Sequence, residues 1–230
     1  MAKKFTVVPE TKNIELVGVL PKPAVNVMPD WYKNLPIEKV RVGTDGLLNS
    51  RLKKCTPFLD AMISGYMVVL SDDIFVEKVN GTPKITWRGS RTIVSPHSIE
   101  QTDGYPTPEG YIPLALKWYN EYGYELPKGY SLLCNHPFNR FDLPFVTLTG
   151  IVDADSYNLA IQFPFFLKDT FEGILEAGTP IAQLVPFKRE SWEIENEKFD
   201  NDRTYSLYET FRKTINRSYK TNYWSKKSYK

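Results

Sequence analysis

Cysteine is scarce in this chain: Cys55 and Cys134 are the only two among 230 residues. One pair cannot build a disulfide framework, and no Cys-x-x-Cys spacing exists, so neither a stapled secreted scaffold nor a dithiol redox centre is indicated. No apolar run approaches the roughly 18 residues that a membrane-spanning helix requires. The basic start Met1-Ala2-Lys3-Lys4-Phe5 has no apolar stretch behind it, so no export signal is evident and the cytosol is the expected compartment. Asn80-Gly81-Thr82 and Asn216-Arg217-Ser218 fit the glycosylation pattern, which is empty without export. Gly-x-x-x-x-Gly-Lys, Gly-x-Ser-x-Gly and His-Glu-x-x-His are all missing, leaving P-loop, serine-hydrolase and zincin chemistry without support. A formal net charge of +2 is too small to name a partner.

The composition is otherwise globular, 42% hydrophobic and 24% charged, and the chain is long enough to bury a core unaided. Aromatics at 14% and 17 prolines favour short strands joined by many turns. The expected fold is mainly β, a sandwich or barrel-like domain, with one short helix and a helical C-terminal tail. The expected division is a β-rich core over residues 1–195, with an extended N-terminal arm, and an acidic-then-basic aromatic tail over 196–230.

Prolines at 9, 21, 23, 29 and 36 alternate with the short apolar stretches Phe5–Val8 and Ile14–Val17, which suits short strands and extended arms over residues 1–50, with Trp31 and Tyr32 as anchors. Thr56-Pro57 opens a short helix in which Phe58/Met62 and Leu59/Ile63 share a face, Thr56 being the natural cap and Gly65 the stop. A strand follows over Tyr66–Leu70. Ile74–Val79 and Thr82–Trp87 flank Asn80-Gly81, the preferred two-residue hairpin turn, which sets Val76 against Ile85 and Glu77 against Lys84. Pro83 marks the second of these as an edge strand. Residues 95–110 read as a long loop. Alternation predicts a strand over 112–119, and further strands are expected at 130–134, 145–148, 159–163 and 181–185.

From Arg203 onward Arg212, Lys213, Arg217, Lys220, Lys226, Lys227 and Lys230 face only Glu209, and Tyr205, Tyr208, Phe211, Ile215, Tyr219, Tyr223 and Trp224 recur mostly at helical spacing. The simplest reading is an amphipathic helix whose aromatics dock on the body or on a neighbouring subunit. The alternative is a nucleic-acid contact through Arg203, Arg212, Lys213, Arg217, Lys220, Tyr223, Trp224, Lys226 and Lys227, cations on phosphates and rings on bases. The acidic stretch Glu190–Asp202 is also suited to hold the basic tail of an adjacent copy.

Cys55, His97, Cys134 and His136 contain formal zinc donors, but their spacing is not that of a ligand set, and no metal or cofactor is expected. Asp153-Ala154-Asp155-Ser156 reads most simply as turn chemistry, with paired carboxylates for acid–base work as the alternative.

Gly150-Ile151-Val152-Asp153-Ala154-Asp155-Ser156-Tyr157, followed by Gly178-Thr179-Pro180-Ile181-Ala182-Gln183-Leu184, resembles the dUTPase and dCTP deaminase superfamily. That resemblance implies a dUTPase-like β-clip and a nucleotide pyrophosphatase activity. Asp153 or Asp155 would activate water, Tyr157 would stack on the sugar, and Gln183 would fix a neighbouring strand and the base pocket. Asn135-His136-Pro137-Phe138-Asn139-Arg140 replaces the family's Pro-Arg-Ser-Gly phosphate element, and Ser156 interrupts the Asp-Tyr pair. A second resemblance covers nearly the whole body: Lys53-Lys54-Cys55-Thr56-Pro57-Phe58, Gly129-Tyr130-Ser131, Asn135–Asn139 and Pro186-Phe187-Lys188-Arg189 look like an uncharacterised tailed-bacteriophage family, cyanophage members especially, related to a bacterial domain of unknown function. It implies a phage origin, in the virion or the host cytoplasm, and assigns no catalytic residue. Three roles follow: a non-enzymatic virion or assembly protein that self-associates or binds other phage structural proteins, a divergent pyrophosphatase, and a nucleic-acid or host-protein binder acting through the tail.

Overall fold

The structure, a computed structural model, describes residues 3–42, 47–49, 51–80, 82–213 and 218–230. Sixteen short strands are described. The first eight are β1 (Thr6–Pro9), β2 (Lys22–Pro23), β3 (Val40–Val42), β4 (Leu47–Asn49), β5 (Tyr66–Val69), β6 (Ile74–Val79), β7 (Thr82–Trp87) and β8 (Val94–Pro96). The others are β9 (Leu116–Trp118), β10 (Tyr122–Glu125), β11 (Tyr130–Asn135), β12 (Phe145–Thr147), β13 (Gly150–Val152), β14 (Phe163–Leu167), β15 (Gly173–Leu175) and β16 (Pro180–Lys188). The protein is mainly β, as its composition predicts.

The chain forms two compact units. One comprises residues 1–27 and 65–189, the other residues 28–64 and 190–230. The first holds a five-stranded sheet in the order β13-β11-β16-β5-β2, a four-stranded sheet β12-β14-β9-β8, a three-stranded sheet β15-β6-β7 and the pair β1-β10. Pairing throughout these sheets is antiparallel, the arrangement that short turns allow. The larger of two hydrophobic clusters within this unit forms its main core. It includes Leu132, Cys134 and Leu184 from the five-stranded sheet and Trp118, Phe145, Phe163 and Phe165 from the four-stranded sheet. Trp118 stacks flat on Phe165 at 3.7 Å between ring centroids and meets Phe145 edge-on at 4.9 Å. The hairpin β6–β7 forms in the expected register, Val76 opposite Ile85 and Glu77 opposite Lys84, with Asn80 at a positive φ of 52°. β7 is indeed an edge strand, which is where Pro83 costs no ladder bond; Gly81 lies outside the described residues.

Several expectations are corrected. Ile14–Val17 belongs to a helix, α1 (Lys12–Val17), because Thr11 accepts from the Ile14 N–H at 3.3 Å and so caps it. Two more short helices occur besides the expected one, α2 (Asp30–Lys33) and, inside the long loop, α4 (Ile99–Thr102), which a Ser98–Gln101 capping box closes. The expected helix is α3 (Thr56–Ile63), with Pro57 in its first turn; Cys55, not Thr56, is its cap residue. The strand predicted over 112–119 shortens to β9, since the backbone bends at Pro113, where Leu114 N–H bonds to Ile112 C=O. The strand predicted over 159–163 is displaced to β14. Gln162 takes the backbone's place there: its side chain accepts from Asn120 N–H at 3.0 Å and donates to Asn120 C=O at 3.2 Å.

The second unit contains the hairpin β3–β4, α2, α3, and the tail helices α5 (Asn201–Lys213) and α6 (Ser218–Asn222). Within it Tyr32 stacks on Phe58 at 6.0 Å and donates its hydroxyl to the Lys53 carbonyl at 3.1 Å, so α2 is anchored to α3.

Candidate functional site

The paired carboxylates lie where three neighbouring strands end together. β13 finishes at Val152, opposite Leu132, so Asp153 comes level with Ser131. Ser131 donates its hydroxyl to Asp153 Oδ1 at 2.6 Å. The turn then closes on itself, with the Ser156 and Tyr157 N–H groups donating to Asp153 C=O at 3.0 and 2.9 Å. That turn carries Asp155 to the start of β11, where Gly129 N–H donates to its Oδ2 at 2.8 Å.

Arg189, the residue after β16, fills the space between the two carboxylates. Its Nη1 donates to Asp153 Oδ1 at 3.0 Å and to Asp155 Oδ1 at 2.9 Å, and its Nη2 donates to Asp155 Oδ2. Its own N–H bonds to Gly129 C=O at 2.9 Å, which extends the β11–β16 ladder by one rung. The guanidinium fork holds Asp155 in a bidentate pair, the strongest geometry a carboxylate finds. The Asp155 carboxyl is accordingly pushed down to about 2, first by the arginine hydrogen bonds and then by the Gly129 N–H. Asp153 is lowered as well, chiefly by Ser131. A general base works best with a proton affinity near the working pH and a lone pair aimed at water. These two carboxylates are instead ionised partners in a clasp that ties β11, β13 and β16. Arg189 closes a run noted in the sequence, but its role there was invisible. The signal available was two like charges two residues apart, which need a cation between them.

Gln183 stands elsewhere. It is fully buried on β16 opposite Asn135, and its Oε1 accepts from Phe138 N–H at 2.8 Å, holding the loop that follows β11. Four residues of strand separate Ser131 from Asn135, about 13 Å at the usual rise. Asp153 and Asp155 therefore sit at one end of β11 and Gln183 at the other. Tyr157 lies on the turn with its ring half exposed.

The Gln183 end carries its own polar cluster. His136 Nδ1 accepts from Thr147 N–H at 3.3 Å while its Nε2 donates to Arg140 C=O at 3.0 Å, and burial pushes the imidazole's proton affinity down, keeping it neutral. Arg140 is nearly buried and forks onto Asp142, with contacts of 2.9 Å to each carboxylate oxygen. Thr147 accepts from Trp118 Nε1 at 3.3 Å and donates to Ile181 C=O at 2.5 Å. Asn139 accommodates the loop's tight path at a φ of 61°. Cys134 points into the core, and burial raises its thiol to about 12. Both His97 ring nitrogens are buried without a hydrogen-bond partner among the described residues.

The tail residues fall into three groups. Arg203 donates to Glu197 at 2.6 Å, and Trp224 Nε1 and Lys227 Nζ converge on Asp60 Oδ2 of α3, at 2.8 and 2.5 Å. The Lys220 and Lys227 ammonium groups each lie 5.8 Å from the centre of the Trp224 ring. Tyr223 and Lys226 are exposed. Arg212 and Lys213 lie on α5, and Arg217 lies outside the described residues. Ahead of α5, residues 190–200 form an irregular, fully exposed segment, with Trp192 at 86%, Ile194 at 95% and Phe199 at 79% exposure.

No protein-family model matches this chain, and no curated protein matches it. Among solved structures it is similar to a mutant dUTPase of Staphylococcus bacteriophage 80alpha with dUpNHpp, at 14% identity and a TM-score of 0.38 over 86% of this chain and 99% of that one. A second mutant of the same dUTPase matches at 13% identity and 0.33, over 72% and 90% of the two chains. A mutant dUTPase from phage phi11 of S. aureus matches at 13% and 0.31, over 73% and 99%. No helix among the described residues is long and apolar enough to cross a membrane.

Proposed function

We propose that this chain is a non-enzymatic assembly protein of a tailed phage, acting through self-association and through its exposed chain segments. The observation that carries the reading is the segment 190–200. Three large apolar side chains there stand almost wholly in water, a state that a chain keeps when the surface is completed by a partner. The clasp supports the same reading, because Asp153 and Asp155 are held by Arg189 and Ser131, and Gln183 lies at the far end of the strand. The engagement of Asp60 by Trp224 and Lys227, in the irregular chain beyond α6, favours a docked tail end over a nucleic-acid contact. The phage setting comes from the sequence resemblance described above.

Sedimentation of the purified chain over a range of concentrations tests the reading, alongside a search for the protein in purified particles. The expected result is concentration-dependent association and presence in the particle. A monomer absent from particles would overturn it, and so would turnover of a deoxynucleoside triphosphate with Mg²⁺ that Asp153→Ala or Asp155→Ala abolishes.

A further inference from the structure

The segment after β16 alternates in character: Trp192 and Ile194 fall on one side of an extended chain, and Glu193, Glu195 and Glu197 on the other. This is the pattern of a half-buried strand, yet residues 191–200 are in no sheet and are exposed throughout. β7 offers what such a segment lacks. It is an edge strand, bonded among the described residues to β6 alone. The two-residue turn makes Val79 and Thr82 the closing bonded pair, so Lys84 and Thr86 also bond toward β6. The backbone groups of Ile85 and Trp87 then point to the open edge.

The two faces of that edge match the two faces of the segment. Pro83, Ile85 and Trp87 form its half-buried apolar side. On the other side stand Lys84, paired with Glu77 at 2.7 Å, and Arg88, with its guanidinium 5.8 Å from the Phe75 ring centre. Beside Pro83 lies an open groove of about 310 Å³ lined by Lys78, Tyr111, Ile112, Pro113 and Asp169, room for one large ring at the apolar face. Strand addition draws affinity from main-chain bonds and selectivity from pockets for alternate side chains, and this edge has both.

We propose that residues 191–197 add as a strand to the open edge of β7 in a second copy of the chain, an inference that rests on the self-association reading. Trp192 and Ile194 lie along Pro83 and Ile85, with an indole in the groove, and the glutamates face Lys84 and Arg88. One arm and one edge per chain permit either a reciprocal dimer or a closed ring.

Two variants test this by sedimentation: an arm variant, Trp192→Ser with Ile194→Ser, and an edge variant, Lys84→Glu with Arg88→Glu. The arm's side chains are exposed, as is that of Lys84, and an unchanged far-ultraviolet circular dichroism spectrum verifies that each variant folds. Each alone should raise the dissociation constant at least about tenfold. An equimolar mixture should regain a heterodimer, since the intact arm of one variant meets the intact edge of the other. Adding Glu193→Lys and Glu195→Lys to the edge variant should restore association by reversing both signs. Wild-type association left unchanged in both variants would overturn this contact while leaving the assembly reading in place. A wild-type chain that stays monomeric would end both.

Discussion

Asp155 contributes to stability only while it is ionised, because every contact it makes is to a donor. Its folded proton affinity is depressed, to about 2 from the ordinary 3.8. The folded state therefore binds its proton less readily than the unfolded chain, and the stabilisation is fully present above about pH 4. It is lost progressively as pH falls from about 4 through about 2, below which both states are protonated. Asp153, also depressed, adds a loss of the same sign. Urea midpoints measured between about pH 5 and pH 2 should fall steeply for the native chain. They should fall less for Asp155→Asn, which keeps the shape and loses the charge. Equal slopes would mean that the arginine clasp holds only weakly in solution.

The elements differ in how far residue order alone determines them. The β6–β7 hairpin was legible because its turn, its alternation and its charge pair all select one register. The edge position of β7 followed from a single proline. α1 was not legible as a helix: its apolar residues resemble a strand, and only Ile14 is buried. β14 was obscured by Pro164, which is tolerated because β12 ends at Thr147, one rung before it. Within the site, the turn at Asp153 and Asp155 was readable, but Arg189 was not. Its partners lie 34 and 36 positions away and meet it only through the β11–β16 register.

Glycines show the same dependence on packing. Gly65, which ends α3 and starts β5, has a φ of 67°, and a Cβ there would stand 1.9 Å from the Leu184 carbonyl oxygen. Gly129 has a comparable φ of 83° with nothing within 4 Å of an added Cβ. Gly129→Ala should cost about 1–2 kcal/mol, the left-handed backbone penalty alone. Gly65→Ala should cost about 3 kcal/mol or more, because the sheet must also part to admit the methyl group. Chemical denaturation of the two variants separates these terms. Equal losses would place the Leu184 backbone farther from Gly65 than it stands here.

At the scale of the whole molecule, the second unit is assembled from stretches more than a hundred residues apart, a grouping that composition along the chain does not carry. The two stretches meet at Asp60. One carboxylate oxygen receives both the Trp224 indole N–H and the Lys227 ammonium, and the indole ring lies near two ammonium groups. Asp60→Asn leaves an acceptor for the indole but removes the charge; Asp60→Ala removes both. If this junction holds the end of the tail, chymotrypsin should cut near Tyr223 and Trp224 about tenfold faster in Asp60→Ala, with Asp60→Asn in between, because cleavage follows the population of the locally opened state. High salt should raise the native rate toward that of Asp60→Asn, since the Lys227 ammonium is partly in water and its pairing is weakened by screening while the neutral indole bond is not. Cleavage near Trp192, in a segment that is already fully exposed, should not change with either substitution, so the two sites within one digest separate release of the tail from general unfolding.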